Sequence, residues 1–294
     1  MLPLYLEKHN PNSLKEKLEK LKELQSECRL CPNECLSKRS EGETGLCNST
    51  DDLVISSFGP HFGEEPPLVG LYGSGTIFLT HCNLSCVYCQ NYDISHLGYG
   101  DKITVDELAA AMLSLQNRGC HNINFVTPTH YTPQIVEALI EAIEKGLEIP
   151  IVYNCGGYES VETLNLLDGV VDIYMPDIKY SENEIAENYS GIKNYWDAVK
   201  KAVKEMHRQV GDLKTNQRGL LIRHLVLPNN LSGSKKVIDF IAEEISTETY
   251  LNIMDQYHPA YNSSQYQNLN RRITNKEYTE VIDYAKSKGF KIYE

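Results

Sequence analysis

From Thr76 to the carboxyl terminus, short apolar runs alternate with stretches of helical period, and this regularity narrows the fold more than any other feature of the chain. The runs cover residues 76–80, 122–127, 150–154, 171–175, 220–227 and 250–254. Each is short and apolar enough for a strand buried in a parallel sheet. The helices between them carry their own start and stop signals. Thr104 is followed by Glu107 three positions on, and that pattern stops at Gly119. Thr132-Pro133 opens a second helix with Ile135, Val136, Leu139, Ile140 and Ile143 on one face and Gly146 at its end. A third, over 194–208, puts Trp196, Val199, Val203 and Met206 on one side. Ser234 caps a fourth that runs through Ile245, and Thr274 caps a fifth that runs to Gly289.

Alternation of this kind joins parallel strands by right-handed crossovers. Six units are too few to close the usual eight-stranded barrel. The pattern by itself admits an open, partial (β/α)6 TIM-like barrel or a doubly wound flat sheet. Upstream, Ser13-Leu14-Lys15-Glu16 reads as a capping box opening a helix, with Leu14, Leu18, Leu21 and Leu24 as its apolar stripe. Residues 56–75 are rich in Gly and Pro and follow neither period, so irregular chain is expected there. The expected division is an N-terminal helix and cysteine-rich extension over 1–70 and an α/β barrel with a C-terminal helix over 71–294.

The 294 residues carry a net charge of −12, which argues against duplex nucleic acid or an anionic membrane as partner. No run approaches eighteen apolar residues, and the first residues lack the basic start and apolar core of a secretory signal. A cytoplasmic location is expected. Nine cysteines are many for such a compartment, where clustered thiols bind metal or do chemistry rather than pair. Seven fall in two groups, while Cys120 and Cys155 stand alone. Cys28, Cys31, Cys35 and Cys47 make a complete four-thiolate set for a structural zinc or a 4Fe-4S cluster. Cys82, Cys86 and Cys89, at C-x3-C-x2-C spacing, stop at three. A metal with an incomplete protein shell keeps a position open for a ligand.

Asn154, Asp177, Lys179 and Arg223 each sit at the carboxyl end of a predicted strand, where ligands gather in parallel α/β folds. Asp177 and Lys179 flank Ile178 and so point the same way, whereas His224 alternates away from Arg223 toward the core. Gly156-Gly157 serves either close approach of a ligand or a tight turn. Asp255, Tyr257 and His258 follow the last strand and face either substrate or solvent. Tyr92, Tyr99, Tyr131, Tyr158 and Tyr180 also follow strands, and most are expected to be ordinary half-buried tyrosines.

The run Cys82-x3-Cys86-x-Tyr88-Cys89, placed after a strand, resembles the radical S-adenosylmethionine (SAM) superfamily. The segments CRLCPNEC, GLC and FGEEPPLVGLYGSGTIFLTHCNLSCVYCQNYDIS, with YNCGGY (153–158), MPDIK (175–179) and LIRHLVLP (221–228), extend the likeness to pyruvate formate-lyase activating enzymes. It covers nearly the whole chain after the first helix. The resemblance implies an open barrel and a 4Fe-4S cluster on Cys82, Cys86 and Cys89, whose free iron takes the amine and carboxylate of SAM. One electron then cleaves SAM to a 5′-deoxyadenosyl radical that abstracts hydrogen from a substrate. It further implies that Tyr88 borders the adenine, that Asp177 and Lys179 lie at the ribose and carboxylate, that Arg223 reaches SAM, and that a flavodoxin or ferredoxin supplies the electron. The Gly-Gly-Glu run of such enzymes is absent from residues 124–133, leaving Thr127, Thr129 and His130 as replacement acceptors for the amine. The substrate, whether protein (a glycyl-radical enzyme among the candidates), peptide or small molecule, stays open. A non-catalytic iron–sulfur or zinc scaffold or electron carrier is the alternative.

Overall fold

The computed structural model describes residues 2–213 and 218–292. Its strands are β1 (Val54–His61), β2 (Ser74–Leu79), β3 (Asp101–Lys102), β4 (Ile123–Val126), β5 (Ile151–Cys155), β6 (Ile173–Ile178), β7 (Gly219–Leu225) and β8 (Tyr250–Met254). They form one sheet in the order β3-β1-β2-β4-β5-β6-β7-β8. The six strands read from the sequence are β2 and β4 to β8, all mutually parallel along that order. With β3 and β8 as unjoined edges, the result is an open, partial TIM-like barrel.

β1 and β3 are additions at one edge, both antiparallel. β1 falls where irregular chain was expected, because Gly59 and Pro60 mask its pattern. Pro60 lies opposite Gly75 of β2, past the two residues that β3 covers. Its missing N–H therefore breaks no ladder on the outer side, which is where a strand tolerates proline.

Alternation along each parallel strand sets the two faces. Ile123, Phe125, Ile151, Tyr153, Tyr174, Leu220 and Ile222 point outward into the main core beneath the helices. Val152, Ile173, Met175 and Leu221 point inward and close around Leu68, which the short helix Pro66–Val69 carries into the barrel. The lumen is thus plugged with apolar side chains at the level of the strands' amino-terminal halves.

The helices form as their periods dictate, with three capping details that differ. The first long helix is Pro11–Ser26, capped by Asn10, with Ser13 at the third position returning the bond. Thr132 and Ser234 are first helical residues rather than caps. Their hydroxyls are spent elsewhere, Thr132 donating to the Thr129 carbonyl and Ser234 meeting His224 Nε2. Thr104 with Glu107 and Thr274 with Glu277 form the expected reciprocal caps.

The amino-terminal residues pack on the barrel along their length. The Leu4 N–H donates to Asp172 Oδ1 at 2.8 Å and the Tyr5 hydroxyl to the Ile149 carbonyl at 2.9 Å. Leu14, Leu18, Leu21 and Leu24 are buried. Arg39 is wholly buried and donates to the carbonyls of His130 and Thr50. Among the described residues no helix is long and apolar enough to cross a membrane. Tyr131, Tyr158 and Tyr180 are core residues, whereas Tyr92 and Tyr99 are exposed.

Candidate active site

The loop after β2 lies across the carboxyl ends of the strands. It is tied down by backbone bonds from Ser85 and Val87 to the carbonyls of Ser190 and Tyr189, and from Asn262 to the Val87 carbonyl. Asn83 is buried and donates to the Tyr158 carbonyl at 2.7 Å. His81, the residue before Cys82, holds a left-handed backbone, as does Thr127 at the end of β4. Such conformations cost about 1–3 kcal/mol and persist where surroundings enforce them, often at functional sites.

This anchoring brings Cys82, Cys86 and Cys89 together. Cys86 is buried and the other two are half-buried. Each sulfur has a hydrogen-bonding neighbour. The Leu84 N–H donates to Cys82 Sγ (3.4 Å), the Ser190 hydroxyl donates to Cys86 Sγ (3.0 Å), and Ser95 Oγ lies 3.1 Å from Cys89 Sγ. Burial drives the Cys86 thiol up to about 11 against the opposing charge of Lys179, and raises Cys82 as well. Without a bound cation both thiols stay protonated at neutral pH, so loading a metal releases protons.

Beneath the loop, the lumen is charged. Arg223 of β7 donates from Nε to Asp177 Oδ1 (2.7 Å), from Nη1 to Glu64 Oε1 (3.1 Å) and from Nη2 to Asn154 Oδ1 (2.9 Å). Lys179 Nζ bonds Asp177 Oδ2 at 2.8 Å. Burial works against ionising Asp177, but Arg223 and Lys179 more than offset it and hold the carboxyl at about 2. Asn124 and Asn154 also donate to Glu64, while Asn252 donates to Glu65. The charge of Lys179, whose ammonium bonds Asp177, also opposes the upward shift of the Cys82 and Cys86 thiols.

Asn154, Asp177, Lys179 and Arg223 are therefore brought into one network, as their strand-end positions suggested. Thr127 sits at the same end with its N–H on the Asn154 carbonyl. Thr129 is turned away, its buried hydroxyl bonded to Glu159 Oε1 at 2.8 Å. His130 is also directed outward, with Nε2 on the Thr80 carbonyl. Tyr88 is buried, edge-on to Tyr180 and Tyr257. His224 is in the core, between the Ile178 carbonyl and Ser234. Tyr257 is buried too, its hydroxyl on the Leu269 carbonyl.

Sequence reasoning missed Glu64, Glu65, Asn124 and Asn252. The acidic pair ahead of Pro66-Pro67 was the available signal, but it lay in chain with no period to assign it a direction. Asn252 sits two positions past Tyr250, which packs on the apolar floor, a parity that strand alternation could have exposed.

Gly156 and Gly157 serve packing. A β-carbon on Gly156 would lie 2.6 Å from Leu84 Cδ1 in the cysteine loop, and one on Gly157 would lie 2.8 Å from the Asp177 carbonyl oxygen. Gly157 also has φ +74°. Gly157→Ala is expected to cost about 1–3 kcal/mol, read as a lowered midpoint in chemical denaturation.

Glu159 is fully buried, and burial pushes its carboxyl up to about 7 although Thr129 and Tyr153 donate to it. The folded chain therefore holds this proton through a range where the unfolded chain has lost it. Its contribution is complete below about pH 4.5 and is lost as pH rises through 7, a change on the order of 3 kcal/mol. Denaturation midpoints of wild type and Glu159→Gln compared from pH 4.5 to 8 should show a steeper fall in the wild type.

A family model described as the Radical SAM superfamily matches residues 76–241, more than half of the chain. The chain belongs to the radical SAM superfamily. It is 35% identical over 290 residues to protein MJ0674 of Methanocaldococcus jannaschii, covering 95% of this chain and 80% of that one. A radical SAM methyltransferase from Sphaerobacter thermophilus superposes over 95% of this chain and 92% of its own at a TM-score of 0.50 and 13% identity, which is a likeness of fold. Native anSMEcpe with bound AdoMet aligns with 70% of this chain at a TM-score of 0.48 and 16% identity, and the chain spans 57% of its length. As a radical SAM protein the chain takes a 4Fe-4S cluster and SAM, and its activity is the cleavage of SAM to a radical.

Proposed function

We propose that Cys82, Cys86 and Cys89 hold the 4Fe-4S cluster, and that SAM lies between it and the Asp177–Lys179–Arg223 network. The observation that carries this reading is the position of Lys179. Its ammonium bonds Asp177 at 2.8 Å and is electrostatically coupled to the Cys82 and Cys86 thiols.

The donor set suits the cluster. Three soft sulfurs lie close enough to sense one another's charge, and each has an N–H or O–H beside it, the kind of contact that tunes a cluster's potential. When bound, the cluster supplies one electron to the sulfonium, and SAM breaks into methionine and a 5′-deoxyadenosyl radical. The protein's own residues bind and orient. Lys179 offers a half-buried cation to the SAM carboxylate, and Asp177, ionised at all working pH, accepts from ribose hydroxyls. Arg223 fixes the Asp177 carboxylate and is itself held by Asn154, and Thr127 contributes acceptors at the end of β4 in place of the missing glutamate. The apolar floor around Leu68 and the cysteine loop above exclude water, which a carbon radical requires.

The substrate receives a hydrogen-atom abstraction, and the resemblance to pyruvate formate-lyase activating enzymes makes a protein backbone the first class to try. Activity is tested by anaerobic reconstitution with iron and sulfide, followed by assay of 5′-deoxyadenosine from SAM and a strong reductant. Formation of 5′-deoxyadenosine is expected. A reconstituted cluster that never yields it would favour the non-catalytic carrier.

A further inference from the structure

The four cysteines of the amino-terminal extension are unused by the site above, yet they meet in one place. Cys28 and the Cys35 turn are paired through backbone bonds, Cys28 N–H to the Ser37 carbonyl and Leu36 N–H to the Cys28 carbonyl, both at 3.1 Å. A β-carbon on Gly45 would lie 3.0 Å from Cys35 Sγ and 3.5 Å from Cys47 Sγ, so these sulfurs share one flank. Cys31 feels the charges of Cys28 and Cys47. Glu34, Leu36 and Asn48, each adjacent to a cysteine, hold left-handed backbones without being glycine. Strain of about 1–3 kcal/mol at each needs a compensating interaction, and a ligand gripping the adjacent sulfurs supplies one. Among the described residues no three metal-binding side chains converge as ligands of a single ion. A cube spreads its thiolates over four corners and asks only for adjacency.

The group has an inner and an outer edge. On the inner side, Asn33, two residues from both Cys31 and Cys35, donates to the Asn83 carbonyl beside Cys82 at 3.0 Å. The Thr163 hydroxyl donates to the Leu30 carbonyl at 2.9 Å and holds the Cys31 turn against the barrel. On the outer side, Cys35 is half-exposed between Leu36 and Leu46, which are 55% and 62% exposed. We infer that Cys28, Cys31, Cys35 and Cys47 hold a second 4Fe-4S cluster that relays electrons from the surface to the cluster on Cys82, Cys86 and Cys89. One electron enters from a reduced carrier protein of the ferredoxin or flavodoxin class, reduces the second cluster, and passes to the first, which restores the second to its oxidised state. No bond or proton changes. The inference rests on the proposed active site and adds the route by which that site is charged.

Anaerobically reconstituted wild type should carry about eight irons per chain, and Cys31→Ser and Cys35→Ser about four. In both variants the remaining cluster's electron paramagnetic resonance signal should still shift on adding SAM. With reduced ferredoxin, 5′-deoxyadenosine formation should fall roughly tenfold or more in the variants, and with excess titanium(III) citrate it should stay within about twofold of wild type. Four irons in the wild type, zinc at the second site, or variants as active as wild type with ferredoxin would each overturn the relay. A wild-type signal indifferent to SAM would instead overturn the active-site reading beneath it.

Discussion

Cys86→Ala abolishes 5′-deoxyadenosine formation while leaving the fold intact. Cys86 is the most enclosed of the three loop thiols, accepting from Ser190 and facing Lys179. Removing its sulfur leaves two ligands where the incomplete set of three is already the minimum that leaves one iron for SAM. The loss should reach the detection limit, roughly 10⁴-fold or more, because no other step supplies the electron. Ser190→Ala, which keeps the thiolate but removes its donor, should cost only about 10–100-fold. The loop's anchors are backbone bonds from Ser85, Val87 and Asn262, so far-UV circular dichroism of Cys86→Ala should match the wild type. Equal cleavage rates in Cys86→Ala and wild type would contradict the ligand assignment.

Arg223→Met carries the largest expected stability loss. The guanidinium satisfies Asp177, Glu64 and Asn154 together, and methionine fills the volume without any of those donors. Removing one partner of a buried ionic network costs about 3–5 kcal/mol, since the orphaned carboxylates stay desolvated. For a chain of this size that corresponds to a fall of about 10 °C in Tm. Asp177 contributes stability above its unfolded pKa, lost as pH falls toward 2, and this acid-side dependence should shrink in Arg223→Met. Glu64→Gln added to Arg223→Met should recover part of the loss by removing one of the stranded charges. Calorimetry of the single and double variants measures both effects, and an unchanged Tm in Arg223→Met would show the lumen network to be open to water.

The barrel was legible because its strands are buried on both faces and its helices carry strong periods, so each element announced itself locally. β1 was not, because Gly59 and Pro60 break its alternation and it is held by pairing with β2 and, at its first residues, with β3. Asp177, Lys179 and Arg223 stood out in the sequence because each is a charge at the end of an apolar run, and the structure joins them in one network. Glu64 and Glu65 escaped for the opposite reason, since an acidic pair beside two prolines looks like surface until the chain is seen to turn inward at Leu68. Thr129 was misdirected by adjacency. Its partner Glu159 lies thirty residues away, a contact that no local pattern encodes.

The most direct test of the central claim is the electron paramagnetic resonance spectrum of the reduced, anaerobically reconstituted protein with and without SAM. A cluster that Cys82, Cys86 and Cys89 would hold with one iron left for SAM predicts a signal whose g-values move when SAM is added, in wild type but not in Cys86→Ala. A cluster signal in the wild type that SAM leaves unmoved would contradict the account.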